Sequence, residues 1–237
     1  MGLILKRLTA SLGVFCLIAL GSAMVAKADS VTFVTPAGSS TGGGPVNASA
    51  TLTVSSGTLT VVVTNLQANP TDVAQLISDI SFTTINAPTG TLQSQSGAFI
   101  NVASNGTVSS AGSGSPGWGL DTNTGGNFHL TALGFSGPAD LIIGPPGGGG
   151  VYTNANGSIA GNGPHNPFVD QTATFTFTIA GLNSVNQITS FTFSFGTVAG
   201  VTVPGTPGVP EPATMVLLGT GMVGIAAKLR SRRRKTV

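Results

Sequence analysis

The stretch TATFTFTI, at residues 172–179, alternates threonine with mostly large apolar residues. Successive side chains of a β-strand point to opposite faces of the sheet, so Phe175, Phe177 and Ile179 share one face and the threonines share the other. In antiparallel sheets such a strand buries its apolar face and leaves the other in water. β-branched threonine also favours the pleated surface. The stretch therefore predicts a half-buried β-strand.

The same alternation recurs in TLTVVVTNL at residues 58–66 and in TSFTFSF at residues 189–195. Shorter strands are predicted at residues 31–34, 51–54, 79–85, 98–103, 128–135, 141–143 and 197–203. A turn or two around residues 72–77 is the only helix predicted for the body. Many short strands separated by Gly, Asn and Pro, without alternating helices, predict an all-β fold, an antiparallel and jelly-roll-like β-sandwich. A barrel or a β-helix is the alternative.

Charge is unevenly distributed along the 237 residues, although the formal net charge is only +2. All nine lysines and arginines lie before residue 28 or after residue 208. Between these limits the chain has six aspartates and neither lysine nor arginine, which gives this part a formal charge of −6 with both histidines neutral. A surface that follows nucleic-acid phosphates needs Lys or Arg to displace counterions. The body is therefore not a nucleic-acid binder of that kind.

Composition indicates one folded domain without covalent cross-links. Charged residues make up 7% of the chain and hydrophobic residues 41%, which is enough apolar material for a core. The single cysteine, Cys16, lies in the N-terminal apolar run, so the body has no disulfide, thiol nucleophile or cysteine metal ligand. We assign this body to residues 29–204 and expect the Gly- and Pro-containing residues 205–208 to form a linker.

The first 28 residues have the organisation of a secretory signal peptide. Lys6 and Arg7 precede an apolar run at residues 8–25, and Ala26-Lys27-Ala28 fits the small-x-small cleavage pattern. We expect signal peptidase to cut between Ala28 and Asp29. The alternative is an uncleaved membrane anchor, because the apolar run approaches the length of a membrane span.

Residues 209–237 read VPEPATMVLLGTGMVGIAAKLRSRRRKTV. The apolar run at residues 213–227 would form a transmembrane helix of about 22 Å, which snorkelling basic side chains would lengthen toward the roughly 30 Å of the hydrocarbon core. By the positive-inside rule the basic end stays cytoplasmic, so the body lies beyond the inner membrane. The residues that define this segment are Pro210, Glu211, Pro212, Arg230, Arg232, Arg233, Arg234 and Lys235.

This segment resembles the PEP-CTERM sorting signal, also known as the C-terminal domain described for ice-binding proteins. The resemblance covers only the end of the chain, where the Pro-Glu-Pro element, the apolar helix and the arginine cluster occur in order. It implies a Gram-negative-type bacterium, recognition by an exosortase, and removal of the tail near Pro-Glu-Pro. It also implies export to the cell surface in association with exopolysaccharide or biofilm. A plain membrane anchor with a proline-stiffened linker is the alternative reading.

The body offers few groups for catalysis. His129 and His165 are isolated, and no spacing of His, Cys or carboxylate residues fits a metal site. The DTNTGG sequence around Asp121 is rich in oxygen ligands but lacks the ladder ending in Glu of a calcium loop. Two aspartates could form a glycosidase pair if the fold brings them within several Å of each other. The body has neither the G-x-S-x-G element of a serine hydrolase nor a phosphate-binding loop. We therefore predict no catalytic residue, no metal, no cofactor and no enzymatic activity.

Trp118 and Tyr152 lie in Gly- and Pro-rich stretches, where exposed rings near Asp121 could stack on a sugar. Burial of both rings would contradict this reading, and core packing is its alternative.

Three functions remain open from the sequence. The first is a non-enzymatic surface or extracellular-matrix protein that associates through Thr- and Asn-rich faces. The second is a carbohydrate-binding or adhesin module that uses Trp118, Asp121 and Tyr152. The third is ice or surface-water binding, which requires threonine rows aligned on a flat exposed face.

Overall fold

The structure is a computed structural model that describes residues 29–134 and 139–208. The predicted signal peptide and the C-terminal sorting segment with its transmembrane helix lie outside these residues. Within the described part, no helix is long and apolar enough to span a bilayer. Three 3-10 turns occur, at Val73–Gln75, Gly163–His165 and Val185–Gln187. The strands are β1 (Asp29–Val34), β2 (Ser40–Thr41), β3 (Gly44–Pro45), β4 (Ala48–Ser55), β5 (Thr58–Asn65), β6 (Ile77–Thr84), β7 (Gly90–Val102), β8 (Val108–Gly114), β9 (Gly119–Thr124), β10 (Asn127–Thr131), β11 (Ile142–Ile143), β12 (Phe168–Ile179), β13 (Ile188–Phe195), β14 (Thr202–Pro204) and β15 (Thr206–Pro207).

Thirteen strands form one hydrogen-bonded sheet with two arms. The larger arm has the order β15-β1-β4-β5-β12-β7-β8, and the smaller arm has the order β14-β13-β6-β10-β9. Strand β11 joins them, because Ile142 pairs with Ile77 of β6 and with Val169 of β12. The all-β prediction is confirmed. The β11–β12 pair is parallel, however, so the sheet is mixed rather than purely antiparallel as predicted.

Aromatic contacts show that the two arms pack face to face. Phe177 of β12 meets Phe82 of β6 edge-on, with ring centroids 5.6 Å apart. Phe33 of β1 stacks on Phe191 of β13 at 5.4 Å. Each pair joins the larger arm to the smaller one, so the arms are the two layers of a sandwich-like body. The finer jelly-roll assignment concerns the connections between the layers and stays a prediction.

The apolar faces predicted from alternation form this core. The apolar residues at every second position of these stretches are buried, because the side-chain period of a strand is two. The large apolar residues that these stretches bury are Leu59, Val61, Val63, Phe175, Phe177, Ile179, Phe191, Phe193 and Phe195.

The helical turn expected around residues 72–77 is a 3-10 turn at Val73–Gln75. The Asp72 carboxylate accepts from the Ala74 N–H at 2.8 Å, and the Gln75 side-chain oxygen accepts from the Asp72 N–H at 3.1 Å. These reciprocal bonds form a capping box. The Asp72 carboxylate therefore has a structural role, as the N-cap of this turn.

Strands β8 and β9 are not among the strands predicted from the sequence, and the stretch SSAGSGSPGWG at residues 109–119, which contains most of β8, has a composition typical of surface loops. Strand β8 pairs with β7 from Val108 to Gly114, although nearly all of its side chains are exposed. Glycine and serine provide no apolar face, so the strand carries no alternation for a sequence pattern to detect. Pairing with its neighbour forms the strand.

Residues 205–208 belong to the sheet, which corrects the predicted linker. Strand β14 pairs with β13 in the smaller layer, whereas β15 pairs with β1 in the larger layer. Gly205 makes this crossing between the layers, where an added Cβ would lie 3.2 Å from side-chain atoms of Phe33 and Phe193. The Gly208 N–H donates to the Thr32 carbonyl at 2.6 Å. The folded body therefore extends to residue 208.

Candidate functional site

The outer face of the larger layer carries a regular array of side chains that, apart from Val62, all have a hydroxyl group, and we call it the threonine face. Its residues alternate with inward-facing ones, most of them buried, on β1, β4, β5 and β12, and with less exposed ones on the facing part of β7. The members are Ser30, Thr32, Ser49, Thr51, Thr53, Ser55, Thr58, Thr60, Val62, Thr64, Ser94, Ser96, Thr172, Thr174, Thr176 and Thr178.

Strand register aligns the threonine face into rows that cross the strands. One row consists of Ser30, Thr53, Thr60, Thr176 and Ser94, which are direct partners across five strands. Neighbouring strands lie about 4.8 Å apart, and residues two apart on a strand are separated by about 6.7 Å. The face is therefore a repeating grid of hydroxyl and methyl groups. Cross-strand threonine pairs of this kind also stabilise a sheet.

Hydroxyl groups within the grid bond to one another. The Oγ1 atoms of Thr32 and Thr51 are 3.0 Å apart, and those of Thr64 and Thr172 are 3.1 Å apart. No member of the threonine face is charged. A ligand on this surface would therefore be held by hydrogen bonds and methyl contacts rather than by ion pairs.

The outer face of the smaller layer carries a groove of about 460 Å³. Outward-facing residues of β6 and β10 line it, together with Thr202 of β14 and the turn at Ala199 and Gly200. His129 on β10 lies opposite Ser81 on β6, and Asn127 lies opposite Thr83. The lining is rich in hydroxyl and carboxylate oxygens.

Asp79 is the most buried charged residue of this groove, at 3% exposure. It lies between Thr131 of β10 and Ser194 of β13 in the strand register. The Ser78 hydroxyl donates to Asp79 Oδ2 at 3.0 Å. Asp79 Oδ1 has no hydrogen-bond partner, and it is the only buried side-chain polar atom in the described residues of which this holds. Such an atom is costly to bury, so it calls for a structural or functional explanation.

A hydrogen-bonded histidine–aspartate pair lies at the mouth of the groove. His129 Nδ1 is 3.0 Å from Asp121 Oδ2, and the two side chains are 34% and 43% exposed. The Thr122 hydroxyl, which donates to Asp121 at 2.7 Å, lowers the pKa of Asp121, with a smaller contribution from His129. Ser81 stands opposite His129, but no hydrogen bond between them occurs in the described structure. The pair therefore lacks the bonded hydroxyl of an activated nucleophile.

Asp121 was the residue considered for calcium. Across residues 29–134 and 139–208, no group of three or more His, Cys, Asp or Glu residues could hold a metal ion. The Asp121 carboxylate contacts Thr122 and His129 instead.

Trp118 and Tyr152 are buried, at 2% and 1% exposure, so neither ring can stack on a sugar. The indole N–H of Trp118 donates to the Asp140 carbonyl at 2.8 Å, and its ring packs 5.0 Å from Phe175. The Tyr152 hydroxyl donates to the Gly144 carbonyl at 2.8 Å, and burial raises its pKa. Each ring thus satisfies its one polar group on the backbone, which makes burial favourable. The exposure that the carbohydrate-binding reading requires is absent at both residues.

Asp29, which follows the predicted cleavage bond, begins β1 and has a structural contact. Its Oδ2 accepts from the Ser184 hydroxyl at 2.6 Å and from the Val185 N–H at 2.8 Å. These two bonds lower the pKa of Asp29. Ala26 and Ala28, the other residues of the predicted cleavage site, lie outside the described residues.

Sequence reasoning missed Asp79 and the groove around it. Asp79 shares its face with Ser81 and Thr83, so its outward direction could be inferred from alternation. Its burial depends on Thr131, Ser194 and the turn before β14, which are remote in sequence. The alternation of inward- and outward-facing positions in SDISFTT, at residues 78–84, was the only sequence signal for the direction of Asp79.

Comparison with known proteins identifies the end of the chain. A family model described as the PEP-CTERM protein-sorting motif matches residues 208–234, which include Pro210, Glu211, Pro212 and the arginine cluster up to Arg234. Comparisons with curated proteins and with solved structures found no match. The chain therefore carries a PEP-CTERM sorting motif, as the resemblance predicted, and the motif implies export and exosortase processing.

Proposed function

We propose that this chain is a non-enzymatic protein of the cell surface or extracellular matrix, associated with exopolysaccharide or biofilm. The observation that carries the proposal is the PEP-CTERM motif at residues 208–234, which begins one residue after β15. The body would be a jelly-roll-like β-sandwich delivered by signal peptidase cleavage at Ala28. The C-terminal helix would hold it at the inner membrane until exosortase releases it to the surface.

The threonine face is the surface we assign to matrix association. It is large and repetitive and contains no charged residue. Its hydroxyl groups can donate hydrogen bonds to the hydroxyl groups of a polysaccharide and accept hydrogen bonds from them. Such contacts are individually weak, and many of them in one rigid array act together. Adhesion of this kind needs no catalytic group.

The export part of the proposal is tested by intact mass. We would purify the native protein from the membrane and from the medium and measure the mass of each form. Termini at Asp29 and close to Pro210–Pro212 are expected for the mature form. A protein that keeps its arginine-rich end in both fractions would contradict exosortase processing and favour a simple membrane anchor.

The adhesion part is tested by placing charges on the threonine face. Thr60→Lys together with Thr176→Lys puts two ammonium groups in its central row, and each must be desolvated when the face binds a surface. We expect loss of binding to isolated matrix with an unchanged fold. Ser104→Lys in the turn between β7 and β8, with Ser190→Lys on β13, adds the same charge at exposed positions outside the face and should leave binding unchanged. Equal binding by both double variants would refute the assignment.

Ice or surface-water binding is a second candidate function, favoured by the alignment of the threonine rows in register. Sheet twist works against it, because ice presents a flat lattice. Thermal hysteresis of the purified body, abolished by the same two lysine substitutions, is the expected result. Its absence at high protein concentration would eliminate this candidate and leave matrix association unaffected.

A further inference from the structure

We propose that the groove on the smaller layer binds a small molecule that carries a primary ammonium group and several hydroxyl groups, as an amino sugar does. The proposal does not depend on the threonine face or on the sorting motif. It rests on the unpaired oxygen of Asp79, on the charge of the body and on the lining of the groove.

The unpaired oxygen requires a donor. Asp79 is almost fully buried, and its only side-chain bond is the one from Ser78 to Oδ2. A buried carboxylate oxygen without a donor is unfavourable, because it has lost its water without replacement. Thr131 cannot help, since its hydroxyl is already bonded to both the N–H and the carbonyl of Leu133. A ligand in the groove can supply the missing N–H group.

The negative charge of the folded body favours a cation as that donor. The described residues contain six aspartates and neither lysine nor arginine, so the field around the groove is negative. Asp121 adds a second carboxylate at the mouth. An ammonium group forms short, charge-assisted bonds to carboxylates, which are stronger than bonds from a neutral hydroxyl. Anionic ligands are disfavoured for the same reason.

The lining offers hydrogen-bonding groups, beside apolar carbon surface, to a small polyhydroxylated molecule. Ser81, Thr83, Asn127 and Thr202 contribute hydroxyl and amide groups that both donate and accept. A volume of about 460 Å³ lies within the range of sites for small organic ligands. Metal ions need several convergent oxygen ligands, and the part of the chain described here brings no three such residues together. An organic ammonium ion needs only the carboxylate of Asp79 and neighbouring hydroxyl groups.

The test is isothermal titration calorimetry at neutral pH, in which the purified full chain is titrated separately with glucosamine, glucose and N-acetylglucosamine. The three sugars share a ring, and only glucosamine carries a charged amine. We expect glucosamine to bind about tenfold or more tightly than the other two, and added salt to weaken its binding. Equal affinities would overturn the assignment of an ammonium site, and so would a complete lack of glucosamine binding.

Substitutions locate the binding site. Asp79→Asn should weaken glucosamine binding by about tenfold or more. Asp170→Asn removes the same charge outside the groove, where the carboxylate accepts only from Gln171, and should have little effect. If Asp79→Asn fails to fold, Asp121→Asn at the exposed mouth of the groove is the deciding variant, and we expect it to weaken glucosamine binding several-fold. Equal losses for Asp79→Asn and Asp170→Asn, or no loss for a folded Asp79→Asn or Asp121→Asn, would contradict the proposal.

Discussion

Removal of the Phe177 ring should destabilise the body more than any change on its outer faces. Phe177 is fully buried and touches Phe82, which itself stacks on Phe128 at 4.8 Å. Truncation of a buried phenylalanine to alanine typically costs about 3–5 kcal/mol, because transferred area is lost and a cavity remains. The lost edge-to-face contact lies within that figure and contributes about 0.5–1.5 kcal/mol of it. We expect Phe177→Ala to lower the free energy of unfolding by about 4 kcal/mol.

Thr176→Ala is the matched control, since it alters the neighbouring residue on the opposite face of the same strand. Its side chain is only partly buried, so the expected change is within about 1 kcal/mol. Unfolding of residues 29–208 in urea, monitored by Trp118 fluorescence, gives the free energy of unfolding of both variants with one probe. A loss below about 1.5 kcal/mol for Phe177→Ala, or equal losses for the two, would refute the face-to-face packing of the layers at this contact.

Three further outcomes are expected. Burial raises the pKa of Asp140 to about 6 from 3.8, against a smaller opposing effect of His165, so the folded protein retains a proton that the unfolded chain releases. Stability should therefore fall as pH rises from about 4 to about 6 and then level off, and Asp140→Asn should flatten this slope in urea titrations at each pH. Trp118, the only tryptophan, should emit at short wavelength and resist quenching by acrylamide, and both properties should disappear on unfolding; strong quenching in the folded state would contradict its burial. Gly126→Ala should destabilise by about 1–3 kcal/mol, because φ is +81° and the new Cβ would lie 2.3 Å from the Thr84 carbonyl oxygen; a neutral effect in thermal unfolding would show that this turn relaxes freely.

The sequence predicted those elements whose signal is local. Alternation over a few residues was enough to assign the buried faces of β5, β12 and β13, because strand periodicity needs no knowledge of the partner strand. The sorting motif was recognised for the same reason, as a short ordered set of residues. Strand β8 was missed because its Ser and Gly residues carry no alternation and depend on β7 for pairing.

Features that depend on register could not be predicted. The position of Asp79 between Thr131 and Ser194 brings together three residues of three strands, each more than fifty positions from the next in the sequence. The rows of the threonine face likewise require four strand pairings to be known together. Trp118 and Tyr152 occupy Gly- and Pro-rich stretches that are typical of surface loops, and only the carbonyl groups of Asp140 and Gly144 explain how their polar atoms can be buried.

The crossing at Gly205 has a mechanical consequence for a protein held by its tail. Tension carried through the residues beyond 208 would enter the body at β15, which is held to β1 over only two residue pairs. Pro207 has no N–H to donate to that pairing. Strand β15 would therefore detach first and lengthen the tether by a few residues. Strand β13, which carries the core residues Phe191, Phe193 and Phe195, would bear the tension through β14 only after β15 had detached.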